Sequence, residues 1–460
     1  MKNKSFSLKF KFTTLSATFL LIITVVIIFI IFPNQPANEE ISPHRPSVYI
    51  NGFPVIEIDI DYFFPFYWGG PVLDLQIFRD NWLGATLNVS NTSEEFEIEN
   101  LEVRARGRGN STWWSFGEKR PVRFRFIDEQ RAMFDSPHIG RDWVTFANVA
   151  DPSHLRNFAA YYLADLLSFH FTPQAWFVHL YLDGDYRGVY MLLDERESTY
   201  GRANLTLDEN PTISEYMIEF DARTRDGGTP VNTHWVEVRG SWDIRYPSTS
   251  AWMDEVNNPH ALYVEDFLTR VDIAMQNRNQ EALAKLIDFE TFIDYYLVQE
   301  FMRNQDTRWS SAFFQIRGQG ENRRLYAGPV WDFDLSSGST EYVYSPIGSH
   351  AVLNDYGHSR LDWFYYLLTS YWFRTLVNER YLEIRDNEIR TTIDRVYYMA
   401  TTFESDFNRN FERWPDQGGI TYRWSSSHMT REITGPLAQA HSLIEWFEAR
   451  IIWMDEFLSD

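Results

Sequence analysis

Three aspartates in the second half of the sequence have the residue type and spacing that could hold a cation. Asp332 and Asp334 lie two residues apart in the segment WDFD, and residues at that spacing share one face of a β-strand. Both carboxylates would then point at one hard cation, which prefers oxygen ligands. Asp306 follows a predicted helix and would supply a base or a further ligand. The structural alternative is that Asp306 caps the helix end and Asp334 caps the serines that follow it.

A glycine-rich segment with basic residues is a second candidate for chemistry. In RGRGNSTWWSFGEKRPVRFRF (105–125) the glycines and Asn110 favour a tight turn between two strands, and Lys119 and Arg120 open the second strand. Backbone N–H groups of such a turn can approach phosphate oxygens, and a strand lysine could reach the same oxygens. The alternative, which the segment alone favours, is a plain hairpin with solvated basic side chains.

A third candidate is the segment YMLLDERE (190–197), in which an apolar strand runs into Asp194 and Glu195. The backbone of such a segment could hold the edge of a nucleotide base. A plain core strand explains the same pattern equally well.

The composition limits which other chemistries are available. The chain has 460 residues with 42 basic and 64 acidic side chains, and its net charge of −22 argues against a nucleic-acid partner. Cysteine is absent, which excludes disulfides, thiolate metal sites and a cysteine nucleophile. The 11 histidines show no H-E-x-x-H or H-x-H spacing, so a zinc hydrolase has little support. Any metal would therefore be a hard cation held by carboxylates.

The N-terminal segment predicts a membrane anchor. Lysines precede an uncharged apolar run from about Ala17 to Phe32, which is typical of a signal sequence or signal anchor. We expect an uncleaved transmembrane anchor at residues 1–35 and a proline-rich linker at 36–47, with the rest of the chain outside the cytoplasm. Cleavage near Ala37 is the alternative, and it would leave the chain in the same compartment.

The elements that must position the candidate residues divide into a β-rich part and a helical part. Alternating apolar residues predict strands before about residue 195, interrupted by one helix that begins at Asp151 and Pro152. After Tyr263 the periodicity is mainly helical, with the short β-type segments SSAFFQIRG and RLYAGPVWDFDLSSG between helices. This order predicts an α+β protein with two lobes around a cleft. The predicted strands are 55–60, 96–106, 122–126, 175–184 and 186–195.

The order of several segments is more specific than any one motif. Over about residues 105–340 the chain resembles the spore coat protein H (CotH) kinase family. The segments that carry the resemblance are, in order, GRGNSTWWSFGEKRPVRFRF, NVADPSHLRNFAAYYLADLL, FVHLYLDGDYRGVYMLLDE, SEYMIEFD, NQDTRWSSAFFQIRG and LYAGPVWDFDLSSG.

The resemblance implies an atypical protein-kinase-like fold over residues 48–460. Its β-rich N-lobe would span about 48–200 and its helical C-lobe about 260–460, and the two would clasp ATP with Mg²⁺ or Mn²⁺. The implied activity is transfer of the ATP γ-phosphate to serine or threonine of a surface, coat or cell-wall protein, on the extracytoplasmic side of the membrane.

The resemblance also implies roles for single residues. Lys119 matches the lysine that pairs with the ATP phosphates, and Arg120 is the other candidate for that contact. Asp306 matches the catalytic aspartate, which accepts or orients the proton of the acceptor hydroxyl. Asp332 matches the metal-binding aspartate of the W-D-F/L-D motif, and Asp334 would assist it.

Two further positions follow from the same comparison. Many family members hold a second cation with an asparagine about five residues after the catalytic aspartate, whereas this chain has serines there, of which Ser311 is the candidate metal ligand. A hydroxyl is a weaker ligand than a carboxamide, although serine also coordinates Mg²⁺. Asp194 and Glu195 both fit the end of the family's G-x-Y-x-L-x-E pattern and would clamp the nucleotide or flank the adenine.

Two other functions compete with the kinase interpretation. A catalytically weak or inactive pseudokinase could act as a surface adhesin or a cell-wall or glycan-binding protein, with Trp113, Trp114 and the TYRW segment (421–424) as candidate stacking platforms. For any of these tryptophans, however, burial in the core is the better expectation. Glycoside hydrolysis by a carboxylate pair is compatible with the acidic residues, but the ordered family segments speak against it.

Overall fold

The computed structural model describes residues 48–61, 75–109, 111–114, 118–196, 201–221, 235–237, 241–247, 258–308, 310–348, 362–415, 427 and 432–459. The predicted anchor at 1–35 and linker at 36–47 lie outside these residues. Among the helices of the described ranges, none combines the length and the apolar character needed to cross a membrane.

The first seven strands close into a barrel in the order β1-β2-β3-β4-β5-β7-β6. Strands β1 and β6 run parallel where the barrel closes, and the other neighbours are antiparallel. Closure leaves no unpaired edge. The strands are β1 (Val55–Ile60), β2 (Leu83–Ser90), β3 (Ile98–Gly107), β4 (Val122–Phe126), β5 (Asp142–Phe146), β6 (Ala175–Leu182) and β7 (Asp185–Asp194).

Strand β4 shows how the sequence pattern forms this barrel. Its sequence VRFRF places Val122, Phe124 and Phe126 in the barrel interior, while Arg123 and Arg125 lie half-buried on the outer face. Arginines of β3 stand opposite them, since Arg106 pairs with Arg123 and Arg104 with Arg125. The predicted strand at this position and the predicted hairpin of β6 and β7 are confirmed.

A second sheet contains strands from both halves of the chain. Its order is β12-β11-β8-β10-β9, and β11 lies antiparallel to both β8 and β12. The β-type segment predicted among the C-terminal helices therefore completes a sheet that begins far earlier in the sequence. The strands are β8 (Tyr216–Phe220), β9 (Trp235–Glu237), β10 (Ser241–Tyr246), β11 (Ala312–Arg317) and β12 (Arg324–Ala327).

Helices make up most of the C-terminal half, so the predicted α+β class with a β-rich first part is confirmed. The α-helices are α1 (Leu75–Asp80), α2 (Ser111–Trp114), α3 (Arg156–Asp165), α4 (Pro259–Gln276), α5 (Gln280–Ala284), α6 (Phe289–Met302), α7 (Trp363–Leu368), α8 (Tyr371–Ile384), α9 (Arg390–Thr402), α10 (Glu404–Arg413) and α11 (Pro436–Ser459). A π-helical turn, Arg385–Ile389, joins α8 to α9.

Helix α3 begins later than the sequence predicted. Asp151 accepts hydrogen bonds from the backbone N–H groups of Ser153 (3.0 Å) and Arg156 (2.8 Å), so it caps a turn that precedes the helix. It also forms an ion pair with the Arg156 side chain. The prediction that Asp151 is the N-cap of this helix is therefore wrong, because the helix starts only at Arg156 and Leu155 is its N-cap.

Two hydrophobic clusters hold the fold together. One fills the barrel interior. The other includes Val144 and Phe146 of β5 together with residues of the second sheet and of the helices. Strand β5 is therefore buried on both faces, which places the end of the barrel beside the second sheet and helix α3.

Candidate active site

Asp306, Asp332 and Asp334 converge on one point. One carboxylate oxygen from each lies within 4.8 Å of the others. Asp306 starts the short 3₁₀ turn Asp306–Arg308 after α6, and the other two lie in an irregular segment after β12. We call these three residues the acidic cluster. The predicted site residues from two distant segments are thus neighbours in space.

The predicted reason for the pairing of Asp332 with Asp334 is wrong, although the two carboxylates do meet. Strand β12 ends at Ala327, and Asp332 has a left-handed backbone with φ of 67°. Two side chains of α3 hold this backbone. The Tyr161 hydroxyl accepts a hydrogen bond from the N–H of Asp332 (3.3 Å), and Asn157 Oδ1 accepts one from the N–H of Phe333 (2.7 Å).

Asn304 joins the two segments of the acidic cluster, and sequence reasoning missed it. Its Oδ1 accepts a hydrogen bond from the N–H of Asp306 (3.1 Å), and its Nδ2 donates to the carbonyl oxygen of Asp332 (3.1 Å). The only sequence signal is an asparagine two residues before an aspartate, a spacing typical of a side chain that bonds to the following backbone. The contact with Asp332 depends on the fold.

The electrostatics of the acidic cluster suit a divalent cation. Burial raises the pKa of Asp334 well above its ordinary value, and the neighbouring carboxylates of Asp332, Asp306 and Asp151 raise it further. Burial, with Asp332 close by, also raises the pKa of Tyr161. Three carboxylates at this spacing repel one another, and a hard cation bound by their oxygens would remove that repulsion. The residues present therefore fit Mg²⁺ or Mn²⁺.

Ser311 lies at the edge of the acidic cluster. Its hydroxyl donates to Asp332 Oδ2 (3.4 Å), and its backbone N–H donates to Glu219 Oε1 on β8 (3.1 Å). Ser311 also has a left-handed backbone, with φ of 61°. The hydroxyl predicted as a metal ligand is therefore close to one of the cluster's carboxylates.

Lys119 and Arg120 lie in different surroundings. Lys119 is buried, donates to the carbonyl oxygen of Val189 (2.7 Å) and lies over the ring of Tyr190. Burial lowers its pKa well below the ordinary value, and the charged group that opposes this shift is Asp151. The guanidinium of Arg120 lies over the ring of Trp113. Their role in binding ATP phosphates stays a prediction.

Asp194 and Glu195 have different contacts. Asp194 Oδ2 accepts from the backbone N–H of Gln174 (2.8 Å) and lies 2.9 Å from His138 Nδ1, and its Oδ1 lies 3.3 Å from Arg202. These contacts hold the end of β7, and a role of Asp194 in binding the nucleotide stays a prediction. Glu195 instead contacts arginine side chains.

Glu195 lies among arginines. Its carboxylate is 3.5 Å from Arg123 Nη1 and 3.3 Å from Arg196 Nε. Burial by itself would raise the pKa of Glu195, but the positive charges of Arg123, Arg196 and Arg108 lower it below its ordinary value. We call Glu195 and these three arginines the arginine cluster. The sequence analysis did not single out Arg108, Arg123 or Arg196.

A series of aromatic rings connects the two clusters. The Arg196 guanidinium lies between the rings of Phe313 (4.3 Å) and Trp331 (4.1 Å), and Trp331 immediately precedes Asp332. Phe146 packs edge-to-face with Trp331 at 5.2 Å, and the guanidinium of Arg108 lies over the Phe146 ring at 4.7 Å. The arginine cluster is therefore adjacent to the acidic cluster.

Trp113 is not available as a stacking platform. It is 1% exposed and packs so closely on Gly107 that a Cβ at that position would lie 2.3 Å from its ring. Trp113 is therefore a core residue, as expected for most tryptophans, and the stacking role that the adhesin alternative gave it is excluded. The side chain of Trp114 and residues 421–424 lie outside the described part of the structure.

Comparison with known families places this arrangement in a context. The sequence model of the CotH kinase protein family matches residues 103–454, which include every residue of both clusters. The chain belongs to the CotH kinase family. No curated protein matches the chain. Membership confirms the resemblance found in the sequence and implies a kinase-like activity that uses ATP and a divalent metal.

Proposed function

We propose that the chain is an atypical protein kinase that transfers the γ-phosphoryl group of ATP to a serine or threonine hydroxyl of another protein. The observation that carries the proposal is the convergence of Asp306, Asp332 and Asp334 in a member of the CotH kinase family. Phosphoryl transfer needs a cation site and a carboxylate that receives or orients the hydroxyl proton, and these residues supply both.

Phosphoryl transfer at this site would exchange one bond to the γ-phosphorus for another. A bond forms between the acceptor oxygen and the γ-phosphorus, and the bond from that phosphorus to the β,γ-bridging oxygen breaks. The electron pair of the broken bond leaves with ADP, and the hydroxyl proton passes to the carboxylate of Asp306. Asp306 suits this role because it is partly exposed at the cluster, whereas Asp334 is 7% exposed.

Asp332 and Asp334 would hold the cation, with the Ser311 hydroxyl beside them. The cation would neutralise charge on the phosphates while the protein positions the reacting groups. Since a serine stands where many relatives have asparagine, we propose that Asp332 and Asp334 do most of the metal binding.

The proposal also includes the side of the membrane on which the kinase lies and the protein that accepts the phosphoryl group. The apolar segment at residues 1–35 would anchor the chain in a membrane with the kinase outside the cytoplasm. The acceptor would then be a surface, coat or cell-wall protein. We also propose that the chain has two kinase-like lobes with ATP bound between them.

Transfer of labelled phosphate from ATP by the full-length protein, with Mn²⁺ or Mg²⁺, tests the function. We expect autophosphorylation that Asp306→Asn and Asp332→Asn each reduce by about 1000-fold or more. Asp332→Asn would also lose metal-dependent nucleotide binding, whereas Asp306→Asn would keep it. Asp266→Asn, a matched change at a largely exposed position on α4, would leave transfer unchanged.

Absence of transfer, together with no metal-dependent rise in melting temperature on addition of ATP, would contradict the proposal. That result would favour the pseudokinase that acts as a surface adhesin. Equal activity of the wild type and both site variants would show that the acidic cluster is structural.

A further inference from the structure

Arg108 is the basic residue at this site whose side chain is best suited to bind a phosphate group. The sequence analysis did not single it out. The inference below deepens the proposed function and rests on it, because it names a residue that contacts the nucleotide. The family resemblance assigns phosphate binding to Lys119, whose amino group donates to the carbonyl oxygen of Val189.

The backbone that carries Arg108 is held in place by three contacts. The N–H of Arg108 donates to the carbonyl oxygen of Pro121 (3.1 Å), directly after β3. The Arg79 side chain donates to the carbonyl oxygen of Gly109 through Nε (3.0 Å) and Nη2 (2.7 Å). Gly109 has a φ of 90°, and a Cβ there would lie 2.2 Å from Thr112 Oγ1. The position of Arg108 is therefore set before any ligand binds.

The side chain of Arg108 packs on an aromatic ring that contacts the residue before Asp332. Its guanidinium lies over the ring of Phe146 at 4.7 Å, and Phe146 meets Trp331, the residue before Asp332. Burial lowers the pKa of Arg108, and the negative charges that oppose the shift are those of Glu195 and Asp332. The positive charge of Arg108 thus lies in the electrostatic field of the Glu195 and Asp332 carboxylates.

Its neighbouring cations already have carboxylate partners. Arg123 pairs with Asp142 and lies 3.5 Å from Glu195, and Arg196 lies 3.3 Å from Glu195. Among the described residues, no carboxylate lies within ion-pair distance of Arg108. Its charge is therefore the one in the arginine cluster that an incoming anion could neutralise at least cost.

We propose that Arg108 binds the phosphate chain of the nucleotide, beside the cation held at Asp332. A guanidinium presents two parallel N–H groups, which match two phosphate oxygens better than an ammonium group does. A nucleoside di- or triphosphate carries more negative charge than one divalent cation neutralises, so a second positive group is needed at this point. Glu195 keeps the arginines oriented and prevents their mutual repulsion from opening the site.

Dissociation constants of ADP with Mn²⁺, and of adenosine, measured by titration calorimetry on the full-length protein test this contact. We expect Arg108→Gln to weaken ADP binding by roughly 10- to 100-fold and to leave adenosine binding unchanged. Arg108→Lys, which keeps the charge but loses the paired N–H groups, would show an intermediate loss. The matched control is Arg104→Gln, at an exposed position on β3, which would bind both ligands like the wild type.

Equal ADP binding by Arg108→Gln and the wild type would overturn the inference while leaving the proposed function intact. Equal losses for ADP and adenosine would overturn it too, since they would indicate a structural role for Arg108. A wild type that binds neither ligand would overturn the proposed function and this inference together.

Discussion

The acidic cluster and the arginine cluster lie side by side, but attraction between opposite charges dominates in one and repulsion between like charges in the other. In the arginine cluster Glu195 lies between three guanidinium groups, and their attraction lowers its pKa despite burial. In the acidic cluster the carboxylates repel one another, and the pKa of Asp334 is raised. The first region is stabilised by the chain itself, whereas the second gains most from a bound cation. Removing one carboxylate should therefore have opposite effects in the two regions.

The largest effect is expected for Glu195→Gln. The change leaves Arg123 and Arg196 without the carboxylate of Glu195 and removes a negative charge that also acts on Arg108, so we expect the free energy of unfolding to fall by about 3 kcal/mol at pH 7. Because the pKa of Glu195 is lowered in the folded state, its contribution is present above its unfolded pKa and disappears as the pH falls. Urea unfolding at several pH values would measure both.

Glu281→Gln, at a side chain that is 87% exposed, is the control and should be neutral at every pH. An unfolding free energy of Glu195→Gln equal to that of the wild type would contradict the description of Glu195 as the carboxylate that stabilises the arginine cluster.

Asp243 is intermediate between the two clusters, because both positively and negatively charged side chains act on its carboxylate. Burial raises its pKa to about 6, Arg245 and Arg196 oppose the rise, and Glu219 and Asp221 add to it. The folded state then holds the proton more tightly than the unfolded state, so stability falls as the pH rises from about 4 to 6.

We expect Asp243→Asn to remove this dependence. Relative to the wild type, the variant would gain about 2 kcal/mol between pH 4 and pH 7, as the shift of its pKa implies. Parallel stability curves of the two proteins over that range would show that Asp243 is ionised throughout.

The smallest change in stability is expected for Asp334→Asn, and its sign is the sharpest test of the comparison. Without metal, the variant no longer ionises a buried carboxylate beside Asp332 and Asp306, so we expect it to be more stable than the wild type by about 1 kcal/mol. With Mn²⁺, the wild type should gain stability and the variant should gain little. Calorimetric melting in EDTA and in Mn²⁺ measures both effects.

In metal-free wild type the raised pKa of Asp334 also means that stability falls as the pH rises, which is opposite to the trend expected from Glu195. A metal-free Asp334→Asn protein that melts below the wild type would contradict repulsion as the dominant force in the acidic cluster.

Much of the fold follows from short-range pattern. Strands β1 and β4 have the predicted bounds, and the Asp-Gly turn joins β6 to β7 as expected. The alternation of apolar and basic residues in β4 is visible in the sequence, because side chains two apart on a strand face the same way. The second sheet was not predicted as one unit, because its pairing of β8 with β11 joins segments far apart in the chain.

The sequence likewise predicted one part of the candidate site and not another. Asp306, Asp332 and Asp334 were recognised from their segments and from the family resemblance, and the structure brings them together. The predicted strand geometry for Asp332 is wrong, since contacts from Tyr161 and Asn157 hold a left-handed backbone that no local pattern indicates.

The sequence by itself determined the α+β class, the family and the three acidic residues, because these depend on residue type and on spacing over a few positions. Only the tertiary structure decided that Asn304 links the two acidic segments and that Arg108 packs on Phe146, which contacts Trp331. It also decided that Glu195 is surrounded by arginines and that Asp194 serves the end of β7. The physical reason is that charges and hydrogen bonds act across space, and chain distance does not encode which buried groups will meet.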